Sequence, residues 1–243
     1  MAGSHVVHSL QETRRYKVVS IDNFHNSYPR AFSRLEELAR STLPPDASET
    51  EKESAAIDAY RCDLTNPADV RAIFEKYGKG GIWGVVHLAV RFHPTLCPAE
   101  EKIHSSGAKQ AYKAVGESSE IPVTYYHNNV TATIYLLQIM SEFDCTRLVY
   151  SSSATVYGTP PMVPIPETTR LKADSPYGQS KIMCESVIQD LTQGTHFFLC
   201  HVRGGWLTWH SGTAVGRYLP KVLQPGRRAP IRSDRRGPAW ETR

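Results

Sequence analysis

The stretch Arg147-Leu148-Val149-Tyr150-Ser151-Ser152-Ser153 runs from apolar residues into a serine triplet, and Ser175-Pro176-Tyr177-Gly178-Gln179-Ser180-Lys181 follows a short way on. The first reads as a buried strand. The second reads as the opening of a helix, with Pro176 favourable in its first turn. Tyr177 and Lys181 are four residues apart, so on a helix they share one face. A lysine ammonium beside a phenol favours the phenolate and fits the tyrosine for general-base work near neutral pH. Ser153 falls at the strand end, where open α/β sheets place their ligands. On an arbitrary helix a Tyr-x-x-x-Lys pair is a solvated face; the strand-end serines make Tyr177, Lys181 and Ser153 a candidate catalytic set.

Working outward, the same alternation of strand and helix repeats along the chain. Ser4 to Thr13 reads as a helix, Tyr16 to Ile21 as a strand closing at Asp22, and Ser33 to Arg40 as a second helix. Leu43 to Glu53 reads as a polar loop, and Ala56 to Tyr60 as a strand leading to Asp63. Asn66 caps a helix that continues to Tyr77. Ile82 to Leu88 is a buried strand, Val123 to Phe143 one long helix, Pro176 to Leu191 another, and Phe197 to Val202 a last apolar strand. Strands apolar on both faces, each followed by a helix, predict an α/β Rossmann-like fold with a doubly wound parallel sheet.

Composition narrows the function. Of 243 residues, 40% are hydrophobic and 21% charged, which suits a globular domain, or one domain with part of another. No run approaches the roughly 20 apolar residues of a membrane helix, and Met1 to Tyr16 has no apolar signal-peptide core. The five cysteines (Cys62, Cys97, Cys145, Cys184 and Cys200) lack a C-x-x-C pair and read as reduced thiols, not as a disulfide framework or metal site. A cytoplasmic location without membrane attachment is the expectation. The net charge of +4 is uneven: from Gly216 on there are eight Lys/Arg and two Asp/Glu, a balance of +6, which leaves −2 for the first 215 residues. A basic tail can bind nucleic acid, but no nucleic-acid partner is expected here, because the tail itself is suspect.

Asp22 closes its strand where a dinucleotide-binding βαβ unit places a carboxylate against the adenosine ribose. Asn23, Asn26 and Ser27 follow it, and Asp63-Leu64 closes the next strand. In order with Gly3-Ser4-His5, Val86-His87-Leu88-Ala89, Lys113 to Ser118, Tyr125 to Val130, the serine triplet and Ser175 to Lys181, these residues resemble the extended short-chain dehydrogenase/reductase superfamily. Within it the similarity is greatest to the NAD-dependent epimerase/dehydratase family and its UDP-glucose 4-epimerases. The resemblance implies an isomerase of galactose metabolism that interconverts UDP-glucose and UDP-galactose through a 4-keto sugar with retained NAD. It implies a nucleotide-sugar substrate and a homodimer built on the two long helices. Tyr177 would take the proton of the sugar 4-hydroxyl, Lys181 would hold the nicotinamide ribose and lower the Tyr177 pKa, and Ser153 would hydrogen-bond the reacting oxygen. Gly3, Asp22, Asn23, Asn26, Ser27, Asp63, Leu64, Leu88, Ala89, Lys113 and Asn128 would line the cofactor. Asp22 favours NAD over NADP, since a carboxylate repels a 2′-phosphate. Dehydrating relatives carry an acidic pair where this chain has Ala154-Thr155, so elimination of water is disfavoured. Another nucleotide-sugar enzyme of the superfamily, or a non-catalytic NAD-binding or scaffold protein, are the competing readings.

Three departures set this chain apart from that pattern. It starts at what corresponds to the last glycine of the phosphate-binding G-x-x-G-x-x-G, so the expected sheet is truncated at its first strand and lacks most of the C-terminal substrate domain. Residues 1–192 are the expected NAD-binding domain, interrupted at 90–110 by a segment without periodicity. Val90-Arg91 can be encoded GTACGT and Gln110 as CAG, the two ends of an intron. Residues 193–243 are expected to form a basic tail outside the family pattern. Read one nucleotide forward, the codons of Lys221 to Ala239 can spell RYFNPAGAHPSGLIGEDP, which resembles the segment that follows the catalytic helix in the family. The chain thus reads as a mis-spliced, partly out-of-frame copy. Sequencing the mature transcript should show 90–110 removed and the shifted frame open; a dominant message carrying the printed codons throughout overturns this.

Overall fold

The computed structural model describes residues 2–25, 27–88 and 116–202. The expected insert at 90–110, the chain beyond Val202, and the candidate residues Asn26, Ala89 and Lys113 lie outside the described residues.

Each described strand is parallel to its neighbours. β1 (Val18–Asp22) pairs with β2 (Ile57–Arg61), with Val18 opposite Ile57 and Asp22 opposite Arg61. β3 (Val85–His87), β4 (Arg147–Ser151) and β5 (Phe198–Val202) form a second sheet with β4 in the middle. His87 stands opposite Tyr150, and Ser151 opposite Val202. The three central residues of β4 are buried, as a strand covered on both faces requires.

Helices cover both faces of both sheets. α1 (Ala2–Glu12) sets Val6 against Val149 near Trp83 and Val86, while the adjacent Val7 packs on Val18 and Ile57. α2 (Arg30–Ser41) adds Phe32 and Leu35 to the β1–β2 side of that layer. The opposite face is the main core. α4 (Pro67–Tyr77) contributes Val70, Ile73 and Phe74, and α6 (Ala132–Glu142) contributes Leu136, Ile139 and Met140. α7 (Pro176–Gly194) adds Cys184 and Ile188. These residues meet Leu148 and Tyr150 of β4 and also Val19 and Ile21 of β1. The two sheets are therefore one doubly wound layer in two pieces; among the described residues β1 and β3 do not pair with each other.

Local chemistry explains most element boundaries. Asn66 accepts a hydrogen bond from the Ala68 amide at 3.2 Å and Pro67 opens α4, as the sequence predicts. Two expectations need correction. The loop expected over 43–53 contains α3 (Glu49–Ala55), started by a capping box in which Ser48 and Glu51 bond each other's backbone N–H. The single helix expected over 123–143 is α5 (Pro122–Tyr126), a π turn (His127–Thr131) and then α6. The last apolar strand is found as expected: α7 runs to Gly194, and β5 pairs along β4.

Phe74 is 2% exposed and lies edge-inclined against Phe143, with ring centroids 5.7 Å apart. Phe74→Ala should cost about 3–5 kcal/mol of unfolding free energy in a urea titration. A loss under ~1 kcal/mol would show that α4 is not part of the main core.

Candidate active site

The strands of each parallel sheet end on one side, and α1 and the main core join the two sheets into one layer, with Asp22 at the end of β1 and Leu88 and Ser153 just past the ends of β3 and β4. Ser153 is placed by a short chain of constraints. β4 stops at Ser151, and Ser153 caps a 3-10 turn (Ala154–Tyr157), its hydroxyl accepting from the Thr155 amide at 3.3 Å and the Thr155 hydroxyl at 3.0 Å. That turn closes at Gly158 with φ +59°, where a Cβ would lie 2.0 Å from the Lys172 carbonyl oxygen. Only glycine fits.

α7 then presents Tyr177 and Lys181 to the same strand end. Ser175 caps the helix by accepting from the Gly178 amide at 3.1 Å. Gly178 lets the helix come close, since a Cβ there would sit 2.7 Å from the Thr155 carbonyl oxygen and 2.9 Å from the Ala173 Cβ. The half-buried Tyr177 ring meets Tyr125 edge-on, at 6.3 Å between centroids. Tyr125 is fully buried and donates its hydroxyl to Glu117 at 2.7 Å.

The structure brings Ser153, Tyr177 and Lys181 together, with electrostatics that differ from the sequence expectation. Burial pushes the Tyr177 phenol above its ordinary value, and the nearby Ser153 hydroxyl pulls the other way. With two donors already on its oxygen, the Ser153 hydroxyl has its own proton to offer to that phenol. Lys181 is not among the groups that lower Tyr177. It is 2% exposed, its ammonium donates to the Ser151 carbonyl at 2.8 Å, and it lies 4.8 Å from the Tyr150 ring centroid. Burial brings its pKa down to about 8, against the opposing pull of Cys184 and Glu185. The lysine is thus spent on the strand end, and the lowered tyrosine expected from residue spacing is absent from this geometry.

At the other end of the edge, the Asp22 carboxylate accepts from the Phe24 amide at 2.7 Å and the Ser27 hydroxyl at 2.8 Å. Asp63 is held by the Thr65 amide and hydroxyl and by the Asn23 side-chain amide, bonds that lower its pKa against the effect of burial. Asn23 and Asp63 therefore tie the ends of β1 and β2 to each other. Gly3 lies in the first turn of α1 with nothing within 4 Å of where a Cβ would be. Leu64 and Leu88 are partly buried, packed against the main core and the α1 layer respectively.

Asn128 turns its amide back onto its own helix, donating to the Thr124 carbonyl at 2.8 Å. Its neighbour Asn129, missed from the sequence, is the buried one, and donates to the Ser180 hydroxyl of α7 at 3.0 Å. The π turn frees the Asn129 carbonyl from regular pairing, and it accepts from Thr133 and from the Cys184 thiol. Glu185, also missed, is buried one turn beyond Lys181 and accepts from the Ser152 hydroxyl. Its spacing of four from Lys181 was the available signal.

The described residues thus place a serine at the end of the middle strand of a parallel sheet, with a Tyr-x-x-x-Lys helix packed against it, and known proteins share this arrangement in part. Residues 110–212 match the family described as GDP-mannose 4,6 dehydratase. A UDP-glucose 4-epimerase from Dictyostelium discoideum is 36% identical over 189 residues, covering 78% of this chain and 44% of its own length. The UDP-Glc/GlcNAc 4-epimerase of Campylobacter jejuni superimposes with a TM-score of 0.63 at 25% identity, over 84% of this chain and 50% of that one. A UDP-glucose 4-epimerase from Bifidobacterium longum, solved in complex with NAD+ and UDP, gives a TM-score of 0.61 at 28% identity, over 81% and 49%. The chain spans about half the length of the relatives it matches.

His87 is buried, paired with the Thr133 hydroxyl at 3.0 Å, and burial with the nearby Lys181 holds its pKa down to about 3. The unfolded chain takes up this proton near pH 6.5 and the folded chain only near 3. Between those values the unfolded state binds more protons, so stability falls as pH falls, by up to about 1.4 kcal/mol per unit. Urea unfolding at pH 7 and pH 5 should show a smaller acid loss for His87→Gln than for the parent chain. Equal losses overturn the assignment.

Proposed function

We propose that this chain carries the proton-transfer half of a UDP-glucose 4-epimerase site, acting at the sugar C4 of UDP-glucose and UDP-galactose with NAD. The observation that carries the reading is the joint placement of Ser153 and Tyr177 at the C-terminal edge of the sheet, with Ser153 near enough to pull the phenol pKa down, in a chain 36% identical to an epimerase.

The donor set suits NAD. Asp22, steadied by the Ser27 hydroxyl, offers the carboxylate acceptor that a ribose diol needs. The first turn of α1, with open space at Gly3, suits a pyrophosphate against helix N–H groups. Lys181, bonded to the Ser151 carbonyl, would lie towards the nicotinamide ribose. NAD, when bound, supplies the hydride acceptor and donor at C4. The protein's own part is the proton. Tyr177 takes it from the 4-hydroxyl as hydride leaves and returns it when the sugar is reduced from its other face. Ser153 orients that oxygen and stabilises the phenolate from beside it. Lys181 contributes its positive charge. Ala154 and Thr155, the positions next to Ser153, hold no carboxylate, which argues against dehydration. A homodimer through α5 and α7 belongs to the same proposal, supported by the exposed Val123 (79%) and Met183 (42%) on those helices. Among the described residues no helix is long and apolar enough to cross a membrane.

The test is conversion of UDP-galactose to UDP-glucose by the full chain with added NAD+. Tyr177→Phe should lower any turnover at least ~100-fold while leaving NAD+ binding in place. Binding of NAD+ without turnover of any UDP- or GDP-sugar would overturn the epimerase reading in favour of a non-catalytic NAD-binding protein.

A further inference from the structure

Two consecutive serines at the end of β4 are held by α7, and the third faces it. The Ser151 carbonyl accepts from Lys181, the Ser152 hydroxyl donates to Glu185, and Ser153 lies near enough to Tyr177 to pull its pKa down. Tyr177, Lys181 and Glu185 are spaced by four, so a single helix face presents all three. Ser152, Lys181 and Glu185 are 7%, 2% and 2% exposed. A carboxylate so deep in the molecule, one turn from a buried ammonium, must be compensated or neutralised.

We propose that Glu185 is a positioning residue for the Tyr177–Lys181 pair: it clamps Ser152 to α7 and supplies the negative charge that keeps Lys181 protonated inside the core. The inference rests on the reading that this pair moves the substrate proton. The groups that face Lys181 make Glu185 the source of that charge. From β4 comes the ring of Tyr150, a group that burial and its neighbours keep protonated. From β3 comes His87, which burial keeps neutral. From α7 itself come Tyr177, raised by burial, together with Cys184 and Glu185, the two groups that favour the charged lysine. Of these the carboxylate is the group whose ordinary pKa lies furthest below neutral pH.

The experiment is a pH titration of the full chain labelled with ε-13C-lysine, with the Lys181 signal assigned by its loss in Lys181→Met. Glu185→Gln keeps a side-chain oxygen for Ser152 and removes only the charge. The Lys181 midpoint should fall by about one pH unit or more in that variant, whereas Ser152→Ala, which leaves the charge in place, should move it much less. An unchanged midpoint in Glu185→Gln overturns the proposal. If that variant does not fold, 13C-glutamate labelling of the parent chain decides: a Glu185 carboxyl protonated at pH 7 overturns the proposal, and an ionised one supports it. None of these readouts needs turnover. An inactive chain with intact coupling would count against the epimerase reading alone, and an active chain without coupling against Glu185 alone.

Discussion

The seating of α7 on the end of β4 is the constraint on which the candidate site depends. A strand end exposes backbone and side-chain polar groups where the sheet stops, and a helix can cover them only by supplying partners or leaving them in water. Here the helix supplies partners at two successive residues, Ser151 and Ser152, and sets Tyr177 beside Ser153. The close approach this needs is possible because residue 178 has no side chain: any Cβ would run into the Thr155 carbonyl. The other side of α7 is fixed by Asn129, whose amide reaches Ser180 and whose carbonyl takes the Cys184 thiol. The π turn in the neighbouring helix thus serves the same contact. Both long helices are shaped by the need to hold one strand end.

The rest of the layer is held less by strand pairing than by the helices across it. β1–β2 and β3–β4–β5 are joined through α1 on one face and through the α4–α6 core on the other. Val6 and Val7 are adjacent in α1 yet pack on different sheets, so the helix lies across the line between them. Burial of apolar side chains, which has no directional requirement, is what sets Asp22 and Ser153 on one edge.

Much of this was legible in the sequence because its signals are local. The Asn66-Pro67 start of α4, the apolar run of β4 and the Ser175-Pro176 start of α7 are short-range signals, and the structure follows each. The capping box at Ser48 and Glu51 was an equally local signal, masked by the prolines before it. Other features are tertiary and have no sequence period. The π turn exists because Asn129 and Cys184 meet across two helices, a contact between residues far apart in the chain. Asn128 and Asn129 are indistinguishable as letters, and only the helix rotation decides which one is buried. Asp63 reads as a cofactor contact from its position, yet its oxygens are engaged by Thr65 and Asn23.

Spacing alone also gave the wrong electrostatic order for Tyr177 and Lys181, and the reason is burial. A four-residue spacing fixes that two groups share a face but not where each polar tip goes. Lys181 reaches the Ser151 carbonyl, and at that depth its charged form costs roughly 3 kcal/mol relative to water, the equivalent of its fall from 10.5 to about 8. Tyr177 moves the opposite way, because burial penalises the phenolate as it penalises the ammonium. Both shifts favour neutral forms, so in this environment the lysine loses its proton before the tyrosine does. A phenolate beside an ammonium, the pair a base catalyst needs, is therefore reached only while something keeps the lysine charged. Glu185 meets that need at the cost of adding negative charge near the future phenolate, and its position one turn further along α7 than Lys181 limits that cost. Ser153 acts on the tyrosine directly, with a hydroxyl whose oxygen is already occupied by Thr155. On the proposed reading the two residues have separate roles in one proton transfer: the carboxylate holds the lysine proton in place, and the serine eases the tyrosine proton off.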